Sequence, residues 1–299
     1  MVVVLAGGTG GAKLARGMLD VVGDDLVVVA NTADDVEMYG AHVSPDPDLC
    51  AFWLADRIDE RGWGLRDDTF HAMDQLRELG VDVWFNLGDR DLAIGLRRAE
   101  RMRDGATLTQ AIGELTAALG LRARVLPMAD EPVRTRVLTG GRWLGFQEFM
   151  IRERGQGAVD GVELAGVAAA RAPEAVLEAI AGADAIVLGP SNPIISVRPI
   201  LAVPGVADAL RAAAAPVVAV SPIVGGQVLK GPTDAFMAWA GLPRSGAGIA
   251  GAYEGLLDGI VADDPVDGLP ALRTDTLMGD ADARRRVADE VLRFAETCR

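Results

Sequence analysis

Residues 1–20 read MVVVLAGGTGGAKLARGMLD: a β-branched run, a glycine cluster, then apolar residues at helical spacing. A strand that ends in glycine and feeds a helix is a natural anion receptor. Glycine lets a ligand approach the backbone, and the helix N-terminus presents unpaired N–H groups. The stretch obeys neither familiar spelling of such a unit. A Walker loop needs Gly-Lys-Ser/Thr, whereas Lys13 stands between Ala12 and Leu14. The dinucleotide fingerprint needs a small residue where Lys13 sits. The physics survives the failed spelling: Gly8, Thr9, Gly10 and Gly11, with Lys13, are candidates to hold phosphate. A tight strand-to-helix turn is the simpler alternative.

Outward from this unit, apolar runs recur at Leu26–Ala30, Val83–Leu87, Ala185–Leu188 and Val217–Val220, like Val2–Ala6. Continuous apolar runs suit parallel strands covered on both faces. Between them lie helical patterns at Asp67–Leu79, Leu92–Arg103, Leu108–Leu119, Glu174–Ala181 and Val206–Ala213. The alternation predicts a Rossmann-like, doubly wound, mainly parallel α/β sheet. Around Arg122–Phe149 it gives way to two alternating runs about Gly140-Gly141, a hairpin signature. The expected organisation is a nucleotide-binding core of residues 1–120 and 171–299 with an inserted, smaller α+β subdomain, rich in β structure, at 121–170.

Bulk properties exclude several classes. The 299 residues carry 29 basic and 43 acidic side chains, a net charge of −14, which argues against nucleic acid or an anionic membrane as partner. Two cysteines, Cys50 and Cys298, suggest no disulfide framework, and two histidines, His42 and His71, no histidine-based metal site. MVVVLA is too short for a signal peptide, and no apolar run suits a bilayer span. A cytoplasmic protein is expected.

Ligands of open parallel sheets bind beyond the carboxyl ends of strands, so the residues following each run form one set. Asp34, Asp35, Asp46 and Asp48 follow the second run. Hard carboxylate oxygens beside phosphates suit Mg²⁺, although such aspartates also cap helices. Asp89, Arg90 and Asp91 follow Val83–Leu87, as an ion pair or a substrate clamp. Ser191 and Asn192 follow Ala185–Leu188, and Lys230 lies in SPIVGGQVLKGP; each can contact a phosphorylated ligand or serve a turn or the surface. Trp63, Phe70, Trp84 and Phe85 read first as core aromatics.

Taken in order, GGTGGAKL, NTADD, VSPDPDL, RGWGLRDDTFHAM, WFNLGDRDLA, GFQEFMIRERG, GPSNPIISVRPIL and SPIVGGQVLKGP resemble the 2-phospho-L-lactate transferase family, as far as about residue 255. The resemblance is to bacterial members. It implies transfer of a phosphorylated three-carbon acid from a guanosine diphosphate ester of lactate or enolpyruvate to the ribityl hydroxyl of the deazaflavin FO. GMP leaves, and the coenzyme F-420 precursor, or its dehydro form, results. It further implies Mg²⁺ as cofactor, a GDP-binding Rossmann-like core and a homodimer. On this reading Gly8–Gly11, Lys13, Ser191, Asn192 and Lys230 hold the nucleotide, and Asp35 and Asp46 bind Mg²⁺ with Asp34 and Asp48 as rivals. Asp35, Asp46, Asp89 and Arg90 form the catalytic set, the last two orienting FO or the acid beside Trp84 or Phe85.

Two departures stand out. Ile94-Gly95 replaces a common Thr-His after GDRDLA, and Leu49 replaces a common Thr after SPDPD. The donor acid therefore stays open. A non-catalytic nucleotide-sugar-binding regulator of the same fold is the alternative, and the paired WFNLGDRDLA and FQEF motifs favour the transferase. An NAD-dependent dehydrogenase is disfavoured by the failed fingerprint and by Asn31, where a ribose-binding acid is often found.

Overall fold

The opening run forms strand β1 (Val2–Ala6), buried at every position, and the glycine cluster starts helix α1 (Gly8–Val22) at once. This computed structural model describes residues 1–229 and 231–298. The chain continues through β2 (Leu26–Ala30), a small hairpin of β3 (Val36–Met38) and β4 (Ala41–Val43), then α2 (Pro45–Leu54), α3 (His71–Glu78), α4 (Asp89–Arg103) and α5 (Leu108–Ala118). Next come β5 (Arg124–Pro127), β6 (Arg134–Thr139), β7 (Arg142–Gly145), α6 (Phe146–Ile151) and β8 (Gly161–Ala165). The remainder holds α7 (Glu174–Ala181), β9 (Ala185–Leu188), α8 (Arg198–Ala202), α9 (Val206–Ala212), β10 (Val217–Val220), the short β11 (Ile223–Val224) and β12 (Gln227–Val228), α10 (Thr233–Trp239), α11 (Gly246–Ala252), β13 (Gly259–Ala262), β14 (Ala271–Arg273) and α12 (Ala281–Thr297).

Seven strands form one sheet in the order β14-β13-β10-β9-β1-β2-β5, and every pair is parallel. Side chains alternate across a strand, so a run apolar at every position feeds two cores. Val2, Val4 and Ala6 enter the core with α1, α2, α5 and α12, while Val3 and Leu5 enter the core with α7, α9 and α11. The expected doubly wound α/β sheet is therefore the observed one. Because β2 lies on one side of β1 and β9 on the other, the strand order reverses at β1. A crevice opens there at the carboxyl edge, directly above the glycine cluster.

Two sequence expectations are corrected. Val83–Leu87 is no strand, and the sheet's edge beside β2 is instead Arg124–Pro127, in register Val27↔Arg124 to Ala30↔Pro127. Val83, Phe85 and Leu87 pack in a satellite cluster with Val36, Tyr39, Phe70 and Met73. The Phe85 N–H donates to the Tyr39 hydroxyl rather than to a neighbouring strand. An apolar run can thus be buried by side-chain packing without joining a ladder. The core sheet consequently claims Arg124–Pro127 from the expected insertion.

The rest of that insertion is a three-stranded antiparallel sheet, β7-β6-β8, with α6. Gly140 and Gly141 form its two-residue turn at φ 53° and 75°, the positive angles that a tight hairpin of matching twist demands. This layer is too small to close its own core. Val137, Leu144 and Phe149 pack on Ile194, Ile195 and Phe236 of the main body, with Phe149 edge-on to Phe236 at 5.9 Å. The packing brings α6 to the crevice. No single helix among the described residues is long and apolar enough to cross a membrane.

Leu5 is fully buried between β2 and β9. Leu5→Ala is expected to cost about 2–5 kcal/mol, read as a lowered urea midpoint at unchanged slope.

Candidate active site

The glycines serve close approach. A Cβ on Gly10 would lie 1.9 Å from the Pro190 carbonyl oxygen, and one on Gly11 would lie 2.7 Å from Ser191 Oγ. The first turn of α1 is thereby pressed against the Gly189–Ser191 loop that follows β9. Gly8 adopts φ +65° and its N–H donates to Asp46 Oδ1 at 2.6 Å. A carboxylate therefore sits where the amide end of the helix attracts negative charge.

Asp46 lies in the first turn of α2, which Pro45 opens. Its Oδ2 accepts from Asn31 Nδ2 at 2.9 Å. Burial pushes its pKa up to about 6, against the opposing bonds from Asn31 and Gly8. Asp34, equally buried, is held well above the usual carboxylate range by desolvation and by the charges of Asp46 and Asp35. Its Oδ1 has no hydrogen-bond partner. Asp35 is tied back instead, accepting from Ser44 Oγ at 2.8 Å and meeting His42 Nε2 at 3.0 Å. His42 also meets Glu37 through Nδ1 at 2.6 Å. Burial opposes its charge, but the bonds to Asp35 and Glu37 prevail and push its pKa up to about 9.

Gly8, Asp34 and Asp46 border a cleft of about 550 Å³. Gly8, Thr9, Gly10, Lys13, Asp34, Asp46, Ser191 and Asn192, all candidates from the sequence, line it together. Gly11 lies just beneath, against Ser191 Oγ. Lys13 Nζ donates to the Met278 carbonyl at 3.1 Å. Asn192 Oδ1 also caps the following turn at Ile194 N–H, 2.9 Å away. Lys230 lies outside the described residues.

Other expected residues are placed elsewhere. Asp48 gives both oxygens to Arg98 of α4, one at 3.1 Å from Nη1, and does not line the cleft; its place among the metal ligands is withdrawn. Asp35 stands behind Asp34 and Asp46 rather than on the cleft surface. Asp89 accepts from Thr69 Oγ1, Ala72 N–H and His71 N–H, which hold its pKa low. It caps α3. Arg90 donates to the Arg66 carbonyl at 3.0 Å. Neither Asp89 nor Arg90 borders the cleft, which removes the geometric basis for their catalytic role. Trp84 stacks under Arg152, with the guanidinium carbon 5.0 Å from the ring centroid, and not on the cleft.

The structure also adds residues that sequence reading passed over. Asn31, weighed only against a dehydrogenase, anchors Asp46. Gln147 of α6, read in the sequence only as part of the FQEF motif, lines the cleft and donates from Nε2 to the Asp34 carbonyl at 2.9 Å. Thr276–Gly279, beyond the last motif, forms another wall. Its only signal was a polar, turn-forming TDTLMGD after an apolar run.

Fold and cleft together define a Rossmann-like α/β protein whose glycine loop shares one cleft with buried carboxylates. Residues 2–276 match the family described as 2-phospho-L-lactate transferase CofD. The 2-phospho-L-lactate transferase of Methanosarcina mazei is 38% identical over 301 residues, covering 97% of this chain and 99% of the relative. The phosphoenolpyruvate transferase of Kitasatospora aureofaciens is 37% identical over 316 residues, covering 100% and 98%. Among solved structures, a UPF0052 family member from Bacillus halodurans shares the fold at TM-score 0.64 and 18% identity, covering 97% of this chain and 98% of that one. The chain belongs to the 2-phospho-L-lactate transferase family.

The raised carboxyls make stability depend on pH. A native Asp46 that binds its proton more tightly than the unfolded chain stabilises the fold below about pH 4 and loses that contribution as pH rises through about 6. Asp34 acts in the same direction. The stability of the wild type relative to Asp46→Asn should therefore fall by roughly 2–3 kcal/mol between pH 4 and pH 7 without divalent cations, measured by urea titration at each pH.

Proposed function

We propose that this chain transfers a 2-phospho-L-lactate or phosphoenolpyruvate moiety from its guanosine diphosphate ester to the ribityl hydroxyl of FO, releasing GMP. Family membership supports the reaction class, and the names of relatives at 38% and 37% identity support the two candidate acids. The observation that carries the reading is the juxtaposition of the α1 amide end with Asp46 and Asp34 on one cleft. A diphosphate seated on Gly8–Gly11 gains backbone N–H donors and places its phosphorus beside those carboxylates.

The residues fit Mg²⁺. Asp34 has an oxygen without a partner, and its charge and that of Asp46 are costly in the protein alone. Among the described residues no group of three His, Cys, Asp or Glu side chains converges as a metal cluster. Mg²⁺ usually takes only one or two carboxylates, together with substrate oxygens and water. Asp34 and Asp46 would hold it, and the ion would supply charge neutralisation on the phosphates. Asp35, fastened by His42 and Ser44, keeps its carboxylate behind that pair and fixes the loop.

In the reaction, the FO hydroxyl oxygen bonds to the phosphorus that carries the acid. The bridging P–O bond breaks, and its electrons leave with GMP. Catalysis of this kind is mostly positioning and charge compensation. The α1 amides orient the diphosphate, Gln147 braces the Asp34 backbone, and a carboxylate at the cleft accepts the hydroxyl proton. We extend the proposal to a cytoplasmic homodimer.

The deciding experiment incubates purified protein with FO, Mg²⁺ and each guanosine ester, followed by mass spectrometry. GMP together with the matching mass gain on FO is expected, and unchanged FO with both esters would refute the assignment. Asp46→Ala should lower kcat on the order of 10²–10³-fold, the scale of losing one electrostatic group at the reacting centre. Far-UV circular dichroism should stay that of the wild type.

A further inference from the structure

Helix α1 packs against two other helices, α2 and α12. On the α12 side the approach is close, because a Cβ on Gly17 would lie 2.3 Å from the Arg284 carbonyl oxygen. The indole of Trp53, on α2, is buried in the core that these helices share, in a residue only 9% exposed. Two cations meet it there. The Lys13 ammonium of α1 stands 5.8 Å from the ring centroid, and the Arg284 guanidinium carbon of α12 stands 5.1 Å from it.

Packing alone is a poor account of tryptophan at this place. Its Nε1–H is buried without a hydrogen-bond partner, a cost that phenylalanine or leucine would not carry. What tryptophan offers beyond them is the most attractive ring face for a cation. Of the two cations, Lys13 is the one that lines the cleft, beside Gly8, Thr9 and Gly10. Its Nζ also donates to the Met278 carbonyl at 3.1 Å. A carbonyl and an indole are both neutral, so these two contacts fix the ammonium without cancelling its charge. Lysine carries its charge on a flexible four-carbon stem, and a charge already placed costs less to order when an anion arrives. Arg284 adds a second positive charge at the same ring, which favours an anion nearby.

We propose that Trp53 is a positioning residue: its indole face holds the Lys13 ammonium at the cleft, in place for the donor's diphosphate. This rests on the reading that the diphosphate is seated at the α1 amide end. Trp53 itself does not line the cleft and acts only through Lys13.

The test is a double-mutant cycle on equilibrium binding of inorganic pyrophosphate with Mg²⁺. Trp53→Phe and Trp53→Leu are each made in the wild type and in Lys13→Met. Lys13→Met should weaken pyrophosphate on the order of tenfold, the scale of losing one charge-assisted hydrogen bond. Trp53→Leu should weaken it about fivefold, the scale of one partly buried cation–π contact, and Trp53→Phe, which keeps an aromatic face, about twofold. In the Lys13→Met background both Trp53 substitutions should leave binding unchanged, because the group they position is gone. A tryptophan that served only to fill space would weaken binding equally in both backgrounds, and that result overturns the proposal. So does a Trp53→Phe variant that loses as much as Trp53→Leu, or a Lys13→Met variant that binds like the wild type. In each of these cases the cleft reading stands, since the wild type still binds. A wild type that binds neither pyrophosphate nor GDP overturns the cleft reading, and the role of Trp53 with it.

Discussion

The bond from Gly8 N–H to the Asp46 carboxylate, 2.6 Å long, is the constraint on which the site is built. It joins the amide end of α1 to the first turn of α2, and through Asn31 it reaches the end of β2. Three chain segments separated in sequence are thus held at one point above the carboxyl edge of the sheet. A helix N-terminus favours negative charge, so a buried carboxylate is stabilised there more than elsewhere in the interior. Burial still dominates, and the Asp46 pKa stays raised.

The neighbouring acids divide the same problem between them. Asp48 is neutralised by Arg98, and Asp35 by protonated His42 with help from Ser44. Each therefore has a partner supplied by the protein. Asp34 has no partner for Oδ1, and Asp46 has only neutral donors. Of these four acids, the two without a cationic partner are the two that line the cleft. On the proposed function, their compensation would come from a cation bound with the anionic substrate.

The small antiparallel layer contributes by the same logic of incomplete parts. It cannot bury Phe149 alone, so it docks on Ile194, Ile195 and Phe236 of the core. That docking delivers Gln147 to the Asp34 carbonyl. A packing requirement of an apolar cluster thereby positions a polar residue at the cleft, a role that the FQEF motif around Gln147 does not by itself specify.

Sequence by itself determined the sheet class, the glycine loop, the Gly140-Gly141 hairpin and the gathering of Asp34, Asp46, Ser191 and Asn192 at strand ends. Each rests on local physics: alternation across strands, backbone freedom at glycine, and the rule that ligands meet strands at their carboxyl edge. Only the tertiary structure decided which aspartates are neutralised within the protein. Arg98 lies fifty positions from Asp48, and its pairing depends on how α4 packs against β4. Tertiary structure likewise gave the sheet edge to Arg124–Pro127 over the more apolar Val83–Leu87, and turned Asp89 into a cap for α3. It also brought Thr276 and Leu277 to the cleft from beyond the last recognisable motif. Pairing, desolvation and edge selection are properties of the packed whole, where distant segments compete for the same partner, and no window of sequence contains that competition.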